Sequence, residues 1–114
     1  MSINIGTQFQ RPSISKQLKP GGWYPLANNS PFLLHATEAA LNNIKLSGLN
    51  YTNLTIKIIT AATQVTNGVN VYLEFQINRS VPLYVQAIVY TPVSSPQVKL
   101  SNLYVTTTNI FDNS

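Results

Sequence analysis

Val69-Asn70-Val71-Tyr72-Leu73-Glu74-Phe75-Gln76-Ile77 alternates without a break, setting Val69, Val71, Leu73, Phe75 and Ile77 against Asn70, Tyr72, Glu74 and Gln76. A period of two is the signature of a β-strand with one buried face, because successive side chains point to opposite sides of a pleated backbone. Upstream, Gln64-Val65-Thr66-Asn67-Gly68 supplies turn chemistry. Before it Leu54, Ile56 and Ile58 face away from Thr55, Lys57 and Ile59. Downstream, residues 83–91 and 99–107 repeat the strand composition. They are separated by Pro92-Val93-Ser94-Ser95-Pro96, whose prolines cannot donate to a ladder. Four long strands follow from this punctuation.

One segment changes period. Ser30-Pro31 has a capping hydroxyl followed by a residue that lacks only a donor the helix does not need there. Leu33, Ala36, Thr37, Ala40, Leu41 and Ile44 then recur at spacings of three and four, and Gly48 stands where a left-handed residue can end the helix. Trp23-Tyr24-Pro25-Leu26 predicts a short strand that Pro25 confines to a sheet edge. The helix stripe needs an apolar partner, and the sheet face is the one present. The expected fold is α+β, a single helix packed across a four- to five-stranded antiparallel sheet. Residues 1–19, which lack periodicity and contain Pro12, read as a flexible arm; residues 20–110 form the domain and 111–114 a tail.

At 114 residues and 44% apolar, the chain supports one core. Charged residues make up 9%, well below the roughly 25% usual in soluble proteins, so the surface is expected to be neutral and hydrogen-bonding. Its +4 charge comes from seven scattered cations set against three acids, a poor footprint for tracking phosphates. Cysteine is absent, there is no basic head followed by an apolar run, and no stretch is long enough to span a bilayer. These features lead us to expect a cytoplasmic protein without membrane attachment. Four Asn-x-Ser/Thr triplets, at Asn28, Asn50, Asn53 and Asn78, would matter only on a secretory route.

The inventory is unfavourable to catalysis. With one histidine, no cysteine and three dispersed carboxylates, a triad could draw only on His35 with Glu38 or Asp112. His35 and Glu38 lie three apart on the helix and read more simply as a solvated pair. Three or four converging metal ligands cannot be assembled, and Gly21 and Gly22 precede Trp23 rather than a phosphate-binding helix. No enzyme activity, metal or cofactor is expected.

Three segments remain, in a fixed order: Pro20-Gly21-Gly22-Trp23, Gln64-Val65-Thr66-Asn67-Gly68 and Pro92-Val93. In this order the chain resembles the cystatin superfamily. Its members carry a Gly near the N-terminus, a Gln-x-Val-x-Gly hairpin loop and a second hairpin loop with Pro-Trp or, in stefins, Pro-His. Gly21-Gly22-Trp23-Tyr24-Pro25-Leu26 is similar to the Gly-Gly-Trp-x-Pro-Ile opening of plant cystatins, and Leu100-Ser101-Asn102 to the Leu-Ser-Asn of the last stefin strand. The likeness covers roughly residues 20–108 and points to the disulfide-free stefin and plant-cystatin branch.

The resemblance implies a protein-binding role: a reversible thiol protease inhibitor whose partner is a papain-like cysteine protease. Gly21, Gly22, Gln64, Val65, Thr66, Asn67, Gly68, Pro92 and Val93 would form a wedge that fills the enzyme cleft sterically. Gly21 and Gly68, lacking Cβ, would let the backbone approach the enzyme wall. Thr66 stands where the family prefers Val, Val93 where it has Trp or His, and Pro20 where a flexible apolar residue would better fill an enzyme subsite, which together predict a weaker or selective inhibitor, or a relative that has lost inhibition. The resemblance further implies a monomer able to exchange strands into a domain-swapped dimer by opening the first hairpin loop.

Two alternatives stand beside this reading. The first is a non-inhibitory structural or self-associating protein of the same fold, because weakly charged strand edges invite pairing. The second is a single-stranded nucleic-acid binder stacking bases on Tyr72, Phe75, Tyr84, Tyr90 and Tyr104, although such aromatics commonly just cover a sheet.

Overall fold

The alternating segment sits in the interior of the sheet in a computed structural model that describes residues 4–15, 21–46, 48, 55–93 and 97–111. In chain order the elements are β1 (Asn4–Ile5), β2 (Tyr24–Pro25), α1 (Pro31–Leu46), β3 (Thr55–Val65), β4 (Gly68–Asn78), β5 (Leu83–Pro92) and β6 (Lys99–Thr106). They form one antiparallel sheet in the order β1-β6-β5-β4-β3-β2, with α1 packed on β4, β5 and β6. The predicted α+β layout is therefore present. Leu54 and residues 94–96 lie outside the described residues.

The helix is built as its sequence dictates. Phe32 N donates to Ser30 Oγ at 3.2 Å, which satisfies one of the orphan amides at the N-terminus. Leu33, Ala36, Ala40 and Ile44 are buried, and the one polar residue of the stripe, Thr37, donates its hydroxyl to Leu33 O at 2.7 Å. Gly48 ends the helix at φ +88°, its amide bonded to Lys45 O. The stripe meets Val71, Leu73, Phe75, Ile77, Leu83, Val85, Ala87, Val89 and Val105 from the sheet. Each fully buried Val, Leu, Ile or Phe side chain here contributes about 1.5–3 kcal/mol relative to exposure.

Two bulges adjust the strands to that core. Ile58 pairs with Phe75 and Thr60 with Glu74, so Ile59 is an extra residue in β3. Ile56 and Ile58 point to the helix side before it, and Ala61, Thr63 and Val65 after it, opposite Leu73, Val71 and Val69. In β6, Asn102 pairs with Ile88 and Leu100 with Val89, leaving Ser101 extra. Leu100 and Leu103 both pack on the core despite their odd spacing.

The opposite face of the sheet is covered as well: residues 9–15, which fall in the segment expected to be a flexible arm, are packed on it, while residues 1–3 and 16–19 of that segment lie outside the described residues. After Asn4 and Ile5 pair with β6 at one edge, residues 9–15 cross the back of β5 and β4 and end beside Trp23, next to β2 at the other edge. Phe111, expected in a tail, packs edge-on against Tyr84 at 6.4 Å on this same face. Residues 112–114 lie outside the described part.

Candidate functional site

Pairing rules place the three sequence segments at one end of the sheet. Tyr24 pairs with Thr63, which brings Gly21 and Gly22 beside the end of β3. Val65 pairs with Val69, closing the β3-β4 hairpin, and Thr66 N donates to Gly68 O at 2.8 Å around Asn67. Gly68 in turn pairs with Pro92, so the β5-β6 turn starts alongside this hairpin. Gln64 ties two of the segments together: its Nε2 donates to Gly21 O at 2.8 Å, while its Oε1 accepts from Asn70 Nδ2 at 3.0 Å.

None of the nine residues carries a charge. Val65 and Val93 are 63% and 81% exposed, and Thr66, Asn67 and Gly21 are also exposed. Two valines held open to water beside uncharged polar groups make a small, blunt surface suited to contact with an apolar groove. Gly21 has open space around it. Gly68 does not. It is buried, and a Cβ there would lie 2.4 Å from Thr91 O and 2.7 Å from Tyr90 Oη. Its missing side chain serves the close packing of β4 on β5 rather than the approach of a partner.

No protein-family model, curated protein or solved structure matches this chain. The geometry of the tip therefore carries the functional reading. His35 and Glu38 are exposed on α1, at the rim of an open groove floored by Ala39, Val98 and Leu100. Among the described residues no group of three metal-ligating side chains converges, and no helix is long and apolar enough to cross a membrane. Of the aromatics considered for stacking bases, Tyr72 and Phe75 are buried, Phe75 against the helix.

Sequence reasoning missed a polar cluster on the back of the sheet. Arg11 Nε and Nη2 donate to Glu74 Oε2 and Oε1, each at 2.6 Å, the bidentate geometry in which guanidinium and carboxylate fit best. Tyr72 Oη donates to Glu74 Oε2 at 2.6 Å, and Gln86 Nε2 donates to Tyr72 Oη at 2.8 Å and to Phe9 O at 2.6 Å. Phe9 N completes the exchange by donating to Gln86 Oε1 at 3.2 Å. A side-chain amide thus treats the backbone of residue 9 as a neighbouring strand would. The rings of Phe9 and Trp23 stand edge-on to Tyr72 at 6.1 and 6.5 Å.

The electrostatics follow from these contacts. Hydrogen bonding to the Glu74 carboxylate raises the Arg11 guanidinium further above its already high range. Burial, then the bond to Glu74, pushes the Tyr72 phenol well above its ordinary value, so Tyr72 stays neutral and donating. A usable signal was present in the sequence: Glu74 is one of only three acids and falls mid-strand. A buried carboxylate requires a cation, and the arm carries one in Arg11.

Proposed function

We propose that the chain is a reversible, steric inhibitor of papain-like cysteine proteases, resembling the cystatins in mechanism. The observation that carries this reading is the meeting of the three segments at one tip, with Gln64 bonded to Gly21 and Gly68 paired with Pro92. Filling a cleft needs a protruding surface that is held in shape before contact, because ordering loops on binding opposes association. The Gln64 bonds and the tight turn around Asn67 supply that order, and Val65 and Val93 supply apolar contact.

An uncharged tip binds through apolar area and main-chain hydrogen bonds, over about 1,600 Å² in a standard interface, with little dependence on salt. In this reading the loops fill the cleft without bringing a peptide carbonyl within attack distance of the protease thiolate, so the tip needs no chemistry of its own. Exposed at the turn, the Thr66 hydroxyl remains free to hydrogen-bond with water or with a partner. Val93 presents a smaller anchor than an aromatic residue, which favours modest affinity.

The test is a titration of papain and its relatives with wild type, Val65→Asp, Val93→Asp and, as a control, Val81→Asp. Val81 is 47% exposed in the turn after β4, at the opposite end from the hairpin. Inhibition in the nanomolar to micromolar range, weakened by about 10–100-fold in either tip variant and unchanged in the control, is expected from burying a charge in an apolar contact, a cost of about 1.4–2.7 kcal/mol. Wild type that inhibits no papain-like enzyme refutes the proposal.

A further inference from the structure

We infer that residues 9–15 are a positioning strap, which holds the Gly21 and Gly22 segment at the tip by tying Trp23 to the back of the sheet through Arg11 and Gln86. The inhibitory consequence rests on the function proposed above; the positioning itself does not.

Three successive fastenings define the strap. Phe9 is bonded through both backbone polar groups to the Gln86 side chain on β5. Arg11 grips Glu74 on β4 with two bonds. Ile14 then forms a parallel bridge with Trp23, and Ser15 N donates to Trp23 O at 2.8 Å. Residues 14 and 15 are thereby held against Trp23. Gly21 and Gly22 do not belong to a free chain end. They lead directly into Trp23, which the strap holds, and Gly21 O accepts from Gln64 on the other side.

Tyr72 joins the fastenings into one unit. Its hydroxyl accepts from Gln86 and donates to Glu74, while its ring stands edge-on to those of both Phe9 and Trp23. Losing the grip of Arg11 therefore frees the stretch that leads to Ser15, and with it the backbone support of Trp23, whose ring still meets Tyr72. The core on the helix side shares no residue with this cluster. Loosening the strap leaves that core intact, which is what separates a positioning role from a general contribution to stability.

Trp23 is the only tryptophan and is half-buried, so it reports on the strap directly. The experiment compares wild type with Arg11→Met/Glu74→Gln, which removes both charges and leaves an amide oxygen at position 74 able to accept from Tyr72, and with Phe9→Ala, which lies on the strap outside the core. Acrylamide quenching of Trp23 and amide exchange of Ser15 are measured on the full chain, with the amides of β4 and β5 as internal reference. We expect exchange at Ser15 to rise tenfold or more and quenching severalfold while the reference amides stay protected. Papain inhibition should weaken by about tenfold in parallel. Unchanged Ser15 exchange and Trp23 quenching in both variants overturn the inference, as does a rise that the β4 and β5 amides share. If wild type does not inhibit papain, the function proposed above fails, and the exchange and quenching results still decide the strap.

Discussion

Gly68 shows how a single residue can be found in the sequence and its reason misjudged. The run from Gln64 to Gly68 signals a hairpin turn, and the glycine suggests backbone free to meet a partner. The pairing with Pro92 instead brings Tyr90 and Thr91 over it, leaving no room for a methyl group. Gly68→Ala should therefore destabilise the protein by about 1–3 kcal/mol, read as a lower denaturant midpoint, with the ladder near Pro92 the first part to lose amide protection. Tyr72 yields a second prediction. Its phenol holds its proton in the folded state to higher pH than in the unfolded chain, so the associated stability is complete below the ordinary phenol value of 10.0 and is lost as pH rises above it. Wild type should lose up to about 1.4 kcal/mol per pH unit there in excess of Tyr72→Phe. The variant begins less stable, because Glu74 and Gln86 lose a partner. The difference in slope, measured by urea unfolding between about pH 9 and 11, is the diagnostic; equal slopes would place the Tyr72 hydroxyl in water.

Elements were legible wherever the information is local. The helix declares itself through Ser30, Pro31, a stripe at spacings of three and four, and Gly48, all within one short stretch, and each has its expected role. Ser30→Ala should accordingly lower stability by about 1 kcal/mol without altering the sheet, which thermal unfolding followed by circular dichroism will show. Strand β4 was equally plain because its alternation is unbroken. Strand β3 was not, since Ile58-Ile59-Thr60-Ala61-Ala62-Thr63 allows either parity, and only the partner strand decides that Ile59 is the bulge. The strap was least legible. It has no period of its own, and Arg11 and Glu74 are 63 residues apart, so their pairing follows from sheet topology rather than from any local pattern. The tip falls between these cases: its three turns were readable one by one, and their convergence depends on β2 and β5 flanking the same hairpin.

At the scale of the whole molecule, the sheet edges bear on whether copies of this chain join one another. Among the described residues, β2 covers β3 only around Ala62 and Thr63, and β1 covers β6 only at Val105 and Thr106. Residues 55–60 and 99–102 thus have no outer ladder partner among the described residues. Such edges template further pairing unless something blocks it. Each carries the same two obstacles, a bulge and a lysine: Ile59 with Lys57 on β3, and Ser101 with Lys99 on β6. A bulge twists the strand away from flat pairing, and a second copy docking edge to edge would bring like charges together while desolvating them. In a chain with only seven cations, two of them on the two open edges count against edge-to-edge pairing of copies, one route that the self-associating alternative would take. Lys57→Thr/Lys99→Thr should keep the fold and show concentration-dependent association by size-exclusion chromatography with light scattering, under conditions in which wild type elutes as a monomer. Wild type that assembles at the same concentrations would mean that the edges are not defended, and the structural reading would then take precedence over the inhibitor.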